Sequence, residues 1–204
     1  MNRIITIGRE FGSGGREVGR RLSEKLHMAY YDQEIIKEIA NRTALSEEYV
    51  RQITERRPVA SFPIHVRTSF YAMPDPTLQQ SVNVYLAQHK LLQELSEKSD
   101  CIIVGRCADY ILRDRNPFRI FVYADTESKI ARCMERKPAD ENLTEAQMKK
   151  QMARIDRDRA KYYEFFSEQK WGARENYDLL VNTSGRDIRN LSAALAEYLQ
   201  AMMA

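Results

Sequence analysis

No stretch of the 204-residue chain approaches the roughly 20 apolar residues that a membrane-spanning helix needs. The N-terminus carries no apolar leader either, passing directly into Ile4-Ile5-Thr6-Ile7, so the expected location is the cytoplasm with no membrane partner. Cysteine is scarce. Cys101, Cys107 and Cys133 are odd in number and have no zinc-like spacing to His27, His65 or His89, which makes them expected small packed hydrophobes rather than ligands. Neither sign of charge dominates: 32 basic against 29 acidic residues give a net charge of +3, with no basic run and no nucleic-acid motif, so no nucleic-acid partner is expected. Internal repeats and low-complexity tracts are absent, and the length suits one domain over residues 1–204.

What is present begins at the N-terminus. The short apolar run Ile4 to Ile7 leads into Gly8-Arg9-Glu10-Phe11-Gly12-Ser13-Gly14-Gly15-Arg16-Glu17, a glycine-rich turn followed by a helical pattern. Glycines let the backbone take positive φ and approach an anion, and a helix starting near Gly14 aims its free N–H groups and positive dipole end at the same point. This is the pattern of a phosphate cradle. It departs from the G-x-x-x-x-G-K-[ST] frame, because residues 9 to 16 lack its first glycine, its lysine and its hydroxyl.

Four further segments read as strands: Met28 to Tyr31, Cys101 to Val104, Arg119 to Tyr123 and Leu179 to Val181. Each is short, nearly continuously apolar or aromatic, and followed by polar residues suited to starting a helix, as strands of a parallel sheet covered on both faces are. Between them lie helical apolar patterns at Val18/Leu22/Leu26, Ile35/Ile36/Ile39, Leu91/Leu92/Leu95, Ile130/Ala131/Met134 and Leu191/Leu195/Leu199. The alternation predicts a doubly wound α/β fold. Pro58, Pro63, Pro74 and Pro76 share a stretch with Phe62, Phe70, Tyr71 and Met73, which reads as an ordered excursion: a substrate-covering flap, or a surface loop or dimer contact.

Thr144 and Gln147 have the form of a capping box opening a helix that runs to about Phe166. Along it Arg154, Arg157 and Lys161, spaced i, i+3, i+7, project from one face, with Arg159 to the side. A row of cations is what a transferring phosphoryl group needs, since that step is catalysed mainly by positioning and charge neutralisation. Surface decoration by i,i+4 pairs such as Arg154 with Asp158 is the plain alternative.

The chain resembles the nucleoside monophosphate kinases. Its opening string, Tyr30-Tyr31-Asp32, Ile103-Val104-Gly105-Arg106, Phe121 to Asp125 with Ala131-Arg132 beyond, the Arg154 to Arg159 helix with Tyr162-Tyr163, and Tyr177 to Thr183 are most similar to the cytidylate-kinase-like family. The resemblance covers nearly the whole chain. It implies a P-loop kinase-like fold of five parallel strands in the order 2-3-1-4-5 flanked by helices, an acceptor-binding insertion at about 33–98 and a helical lid at about 137–172. It further implies ATP and Mg2+ as cofactors, with ATP at Gly8, Gly12, Ser13, Gly14, Gly15, Arg16 and Glu17. The acceptor, CMP or dCMP, would lie at Asp32, Arg106 and Lys161, and Arg16, Arg154, Arg157 and Arg159 would serve catalysis.

Against the pattern of the true cytidylate kinases, Gly15 stands at the lysine, Gln33 at an acceptor-site serine, Glu38 at a phosphate-binding arginine, Val104 at an acidic residue and Cys107 at a base-reading aspartate. Arg16, one residue on, is the candidate replacement for the lysine's charge, and one carboxylate among Glu10, Glu17 and Asp32 is enough for a magnesium ion that leans on substrate phosphates. The changed base-reading positions also admit another small acceptor. The missing lysine admits a nucleotide-binding regulatory protein without turnover. A dinucleotide-binding oxidoreductase, suggested by Gly12-Ser13-Gly14 with Asp32 downstream, would want a third glycine where Glu17 stands.

Overall fold

Five short strands form one sheet in which every pairing is parallel: β1 (Ile4–Arg9), β2 (Ala29–Tyr31), β3 (Cys101–Val104), β4 (Phe118–Tyr123) and β5 (Leu179–Asn182) stand in the order β2-β3-β1-β4-β5. This computed structural model describes residues 2–55, 76–137 and 143–202. The expected strands and their order are all observed, with ends moved by one or two residues: β1 extends to Arg9, β2 begins at Ala29, β4 at Phe118, and β5 extends to Asn182. The proline- and aromatic-rich stretch falls, apart from Pro76, outside the described residues.

Side chains alternate across the sheet, so each strand feeds two cores. Ile5, Ile7, Ile102, Val104, Ile120 and Val122 face one side, where α1 (Gly15–Leu26) and α8 (Ile188–Met202) cover them with Val18, Leu22, Leu195 and Leu199. Ile4, Cys101 and Ile103 face the other, against α2 (Glu34–Thr43), α3 (Glu47–Glu55), α4 (Pro76–Lys98), and the short α5 (Ala108–Ile111). Burial on both faces explains why the strands carry no polar alternation. Cys101 and Cys107 are buried in the second of these cores, as small packed residues.

Beyond β4 come α6 (Thr126–Arg136) and the 23-residue α7 (Glu145–Ser167). Asp125 caps α6 by accepting from the Ser128 N–H, and Thr144 with Gln147 forms the expected capping box on α7. The rotation of α7 about its axis is set by Met148, Met152, Tyr162 and Tyr163, which are its large buried side chains. Tyr162 and Tyr163 join the core beneath α4, and Tyr85 of α4 stacks on Phe166 with ring centroids 4.0 Å apart. Parallel strands place all their C-terminal ends along one edge, the edge where open α/β sheets bind ligands. Gly8-Arg9, Asp32, Gly105-Arg106 and Thr183 therefore assemble there from four different strands.

Candidate active site

The loop after β1 is held in an open curve by its backbone. Gly12 and Gly14 take φ of 76° and 83°, Ser13 Oγ donates to the Glu10 carbonyl at 2.8 Å, and the Glu10 N–H donates to Val122 at 3.0 Å. Thr183, fully buried at the end of β5, donates from Oγ1 to the Ser13 carbonyl at 2.7 Å and fixes the loop from its far side. Gly14 caps α1 without a side-chain hydrogen bond, which leaves the first N–H groups of α1 directed at the loop's hollow. Space around the curve is tight: a Cβ on Gly12 would lie 2.9 Å from Cys133 Sγ, and one on Gly14 2.9 Å from Ile188.

Gly15, where the frame wants lysine, is closed by a different neighbour. A Cβ there would meet Arg9 Cβ at 2.5 Å, so the side chain at the end of β1 already fills that volume. Arg9 runs on across the sheet edge until its guanidinium lies over Gly105, whose missing Cβ would be 2.0 Å from Nη1. The chain leaves β3 there through Gly105, Arg106 and Cys107 with φ of 74°, 61° and 51°, three successive left-handed residues of which two are not glycine. Backbone of this kind persists only where its surroundings over-determine it. Arg106, 6% exposed, is one anchor: it donates from Nη1 to Thr54 Oγ1 at 2.8 Å, while Gln88 donates to its carbonyl at 2.9 Å.

The edge thus gathers cations. Burial pushes the Arg9 guanidinium well below the usual arginine range, and the charges of Arg159, Arg106 and Arg16 add to the effect against the opposing pull of Asp32. Because an arginine keeps its proton at any physiological pH, this pressure is felt as a destabilising concentration of positive charge rather than as proton loss. Asp32, buried, is already paired with Arg16 Nε at 2.8 Å.

Two cavities open on this cluster. The larger, about 350 Å3, is bounded by the loop from Arg9 to Glu17, by Arg132, Cys133 and Arg136 of α6, and by Met148, Gln151 and Arg159 of α7. The smaller, about 40 Å3, lies beneath Arg106 and is walled by Thr54, Asp109, Tyr162, Tyr163, Trp171 and Tyr177 among others. Arg9 and Arg159 line both. In the smaller cavity Tyr163 donates its hydroxyl to Asp109 at 2.7 Å, and burial pushes the Asp109 carboxyl above the ordinary carboxylate range despite that bond.

Helix α7 is latched to the loop. Asp156 Oδ1 accepts the Phe11 N–H at 2.7 Å, Lys129 lies 2.9 Å from Glu10 and 3.8 Å from Asp156, and Arg159 reaches the Arg9 carbonyl at 3.4 Å with its guanidinium 5.7 Å from the Phe11 ring centre. Burial raises the Asp156 carboxyl, and the Phe11 N–H and the charges of Arg159 and Lys129 counter it.

Of the residues singled out from sequence, Gly12, Gly14, Gly15, Arg16, Glu17 and Arg159 line the larger cavity, and Gly8 and Arg106 the smaller. Ser13 is buried beneath the loop. Arg16 turns toward Asp32, and neither Asp32 nor Lys161 lines either cavity. Arg154, Arg157 and Lys161 do share a face of α7, but it is exposed; the face turned inward carries Asp156, Arg159 and Tyr163. The carboxylates considered for magnesium are engaged, Glu10 by Lys129, Glu17 by Arg21 and Arg136, and Asp32 by Arg16. Among the described residues no three of His, Cys, Asp and Glu gather as a metal site. Sequence reasoning missed Arg9, Lys129, Asp156 and Thr183. The available signal for Arg9 was its place as the last residue of a strand otherwise buried, where a charged side chain has to be directed at something.

Comparisons with known proteins agree with this architecture. No protein of curated function matches the chain in sequence. A solved structure of an uncharacterized protein from Eubacterium ventriosum is similar at 26% identity with a TM-score of 0.70, covering 98% of this chain and 99% of that one. Shikimate kinase from Acinetobacter baumannii, in complex with shikimate, superposes with a TM-score of 0.52 at 17% identity over 98% and 94% of the two chains. Shikimate kinase from Bacteroides thetaiotaomicron does so at 0.56 and 14% over 98% of each. At those identities the shikimate kinases establish the fold, that of the P-loop kinases. Residues 4–185 match the cytidylate kinase-like family, and the chain belongs to it.

Proposed function

We propose that the protein transfers the terminal phosphoryl group of ATP, brought in with magnesium, to a small acceptor, with CMP or dCMP the first candidates. The observation that carries this reading is that a larger cavity on the glycine loop and a smaller one beneath Arg106 meet at two arginines, Arg9 and Arg159. A phosphoryl group passing between donor and acceptor would lie between those arginines. ATP would occupy the loop, with its phosphates on the α1 N–H groups and its base toward α6. In the transfer, the bond from the terminal phosphorus to the bridging oxygen breaks and its electron pair leaves with ADP. An acceptor oxygen forms the new bond, and the cations offset the charge as it shifts.

Val104 and Cys107, which stand where true cytidylate kinases have acidic residues, keep another small acceptor as a second reading within the same chemistry. The test is ADP release from magnesium and ATP against CMP, dCMP, UMP, AMP, GMP and simple alcohols, with product mass determined. The expected result is ADP formed in proportion to one acceptor and a product heavier by one phosphoryl group. Nucleotide binding without turnover on any acceptor would instead favour a regulatory role.

A further inference from the structure

We infer that Arg9 takes the part of the absent loop lysine, contacting the transferred phosphoryl group from the end of β1 rather than from the start of α1. The inference rests on the phosphoryl-transfer reading above and names the residue that serves it.

Three observations carry it. First, Arg9 stands in the volume that a side chain at position 15 would need, with its Cβ 2.5 Å from where a Cβ on Gly15 would be. The missing lysine and the placed arginine are thus one structural exchange. Second, Arg9 is 8% exposed, and among the described residues its Nε has no hydrogen-bond partner and no carboxylate lies within ion-pair distance of it. The carboxylate that acts on it, Asp32, is paired with Arg16, and its other strong neighbours are Arg159 and Arg106. A buried cation among cations is costly unless an anion completes the arrangement. Third, Arg9 borders both cavities and lies beside the uncapped N-terminus of α1, so an anion reaching it from the larger cavity also meets the first N–H groups of that helix.

An arginine suits the position. Its planar fork can hold two phosphate oxygens at once, where lysine would offer a point charge, and its length spans the gap from β1 to Gly105. During transfer the charge that builds on the oxygens between donor and acceptor would face the guanidinium directly, and no proton need leave Arg9.

The experiment is calorimetric titration of the whole chain with inorganic pyrophosphate and with the β,γ-imido analogue of ATP, on wild type, Arg9→Met and Arg9→Lys, with melting temperatures of the ligand-free proteins. Methionine keeps the stem's packing against Gly15 and removes the charge. The expected result is at least a tenfold loss of affinity for both probes in Arg9→Met, a partial recovery in Arg9→Lys, and a melting temperature for Arg9→Met no lower than wild type. Affinities within twofold of wild type, or a wild type that binds neither probe, would overturn the assignment. So would a lowered melting temperature with binding unchanged, which is what a structural role produces. Binding is read without turnover, so Arg9-dependent affinity in a protein that forms no ADP with any acceptor would refute the kinase reading and support the phosphate contact.

Discussion

Placing at position 15 the lysine of the G-x-x-x-x-G-K-[ST] frame is the substitution that the loop's pattern invites and the structure forbids. Gly15 has ordinary helical backbone, so nothing in its dihedrals resists a side chain; the obstacle is Arg9 Cβ at 2.5 Å and Val122 Cβ at 3.3 Å. Overpacking of this kind typically costs ~1–3 kcal/mol, because two main-chain segments have to part. Gly15→Lys is therefore expected to lower stability in urea denaturation by about that amount without raising nucleotide affinity. In an Arg9→Gly background, which vacates the volume, the same substitution should cost less, and the difference is the coupling between the two positions. Equal costs in both backgrounds would mean that the two residues do not compete for space. The glycine pattern shows in the sequence because φ near +80° at Gly12 and Gly14 is a local requirement. Arg9 does not, because its role depends on Gly105 nearly a hundred residues away.

At the scale of elements, α7 shows why a helical face can be identified from spacing while its direction cannot. Arg154, Arg157 and Lys161 lie on one face as their intervals require, and the strands, the capping box and the helices other than α3 and α5 likewise follow from local pattern. Which face turns inward is decided by packing: Met148, Met152, Tyr162 and Tyr163 are buried, and the rotation that buries them also brings in Asp156 and Arg159. In the proposed reaction Arg159, on the wall of both cavities, then matters more than Arg157. Arg159→Ala is expected to lower kcat/KM by about a hundredfold, the scale of removing one donor that stabilises a transition state, roughly 2.7–4 kcal/mol. Arg157→Ala should cost less than threefold. Steady-state kinetics on the acceptor found in the panel would measure both, and the opposite order would mean that α7 presents its other face when substrates are bound.

Across the whole molecule the two edges of the sheet treat arginine differently. At the edge opposite the site, a cavity of about 560 Å3 is bordered by Arg3, Arg113, Arg115 and Arg119, so it too is roomy and rich in arginine. Yet Arg3 is paired with Asp100, Arg115 with Glu97, and Arg119 with Asp178 at 2.7 Å, while Arg113 lies over the Tyr110 ring. Charges answered within the chain support the fold; the charge of Arg9, which has no ion pair among the described residues, is the one that the proposed phosphate contact would answer. Arg119→Ala is accordingly expected to leave pyrophosphate affinity unchanged and to lower stability at pH 7 by ~0.2–1 kcal/mol, as partly exposed pairs do. The effect carries a pH signature. Burial raises the Asp178 carboxyl, but the bonds it accepts from Arg119 prevail and hold it below its ordinary value of 3.8. A carboxylate held low stabilises the fold above that value and loses the contribution as pH falls through its folded pKa. The gap between wild type and Arg119→Ala in urea denaturation should therefore be full at pH 7, persist to about pH 4, and close toward pH 2. A gap independent of pH would mean that Arg119 acts through the packing of its stem and not through Asp178.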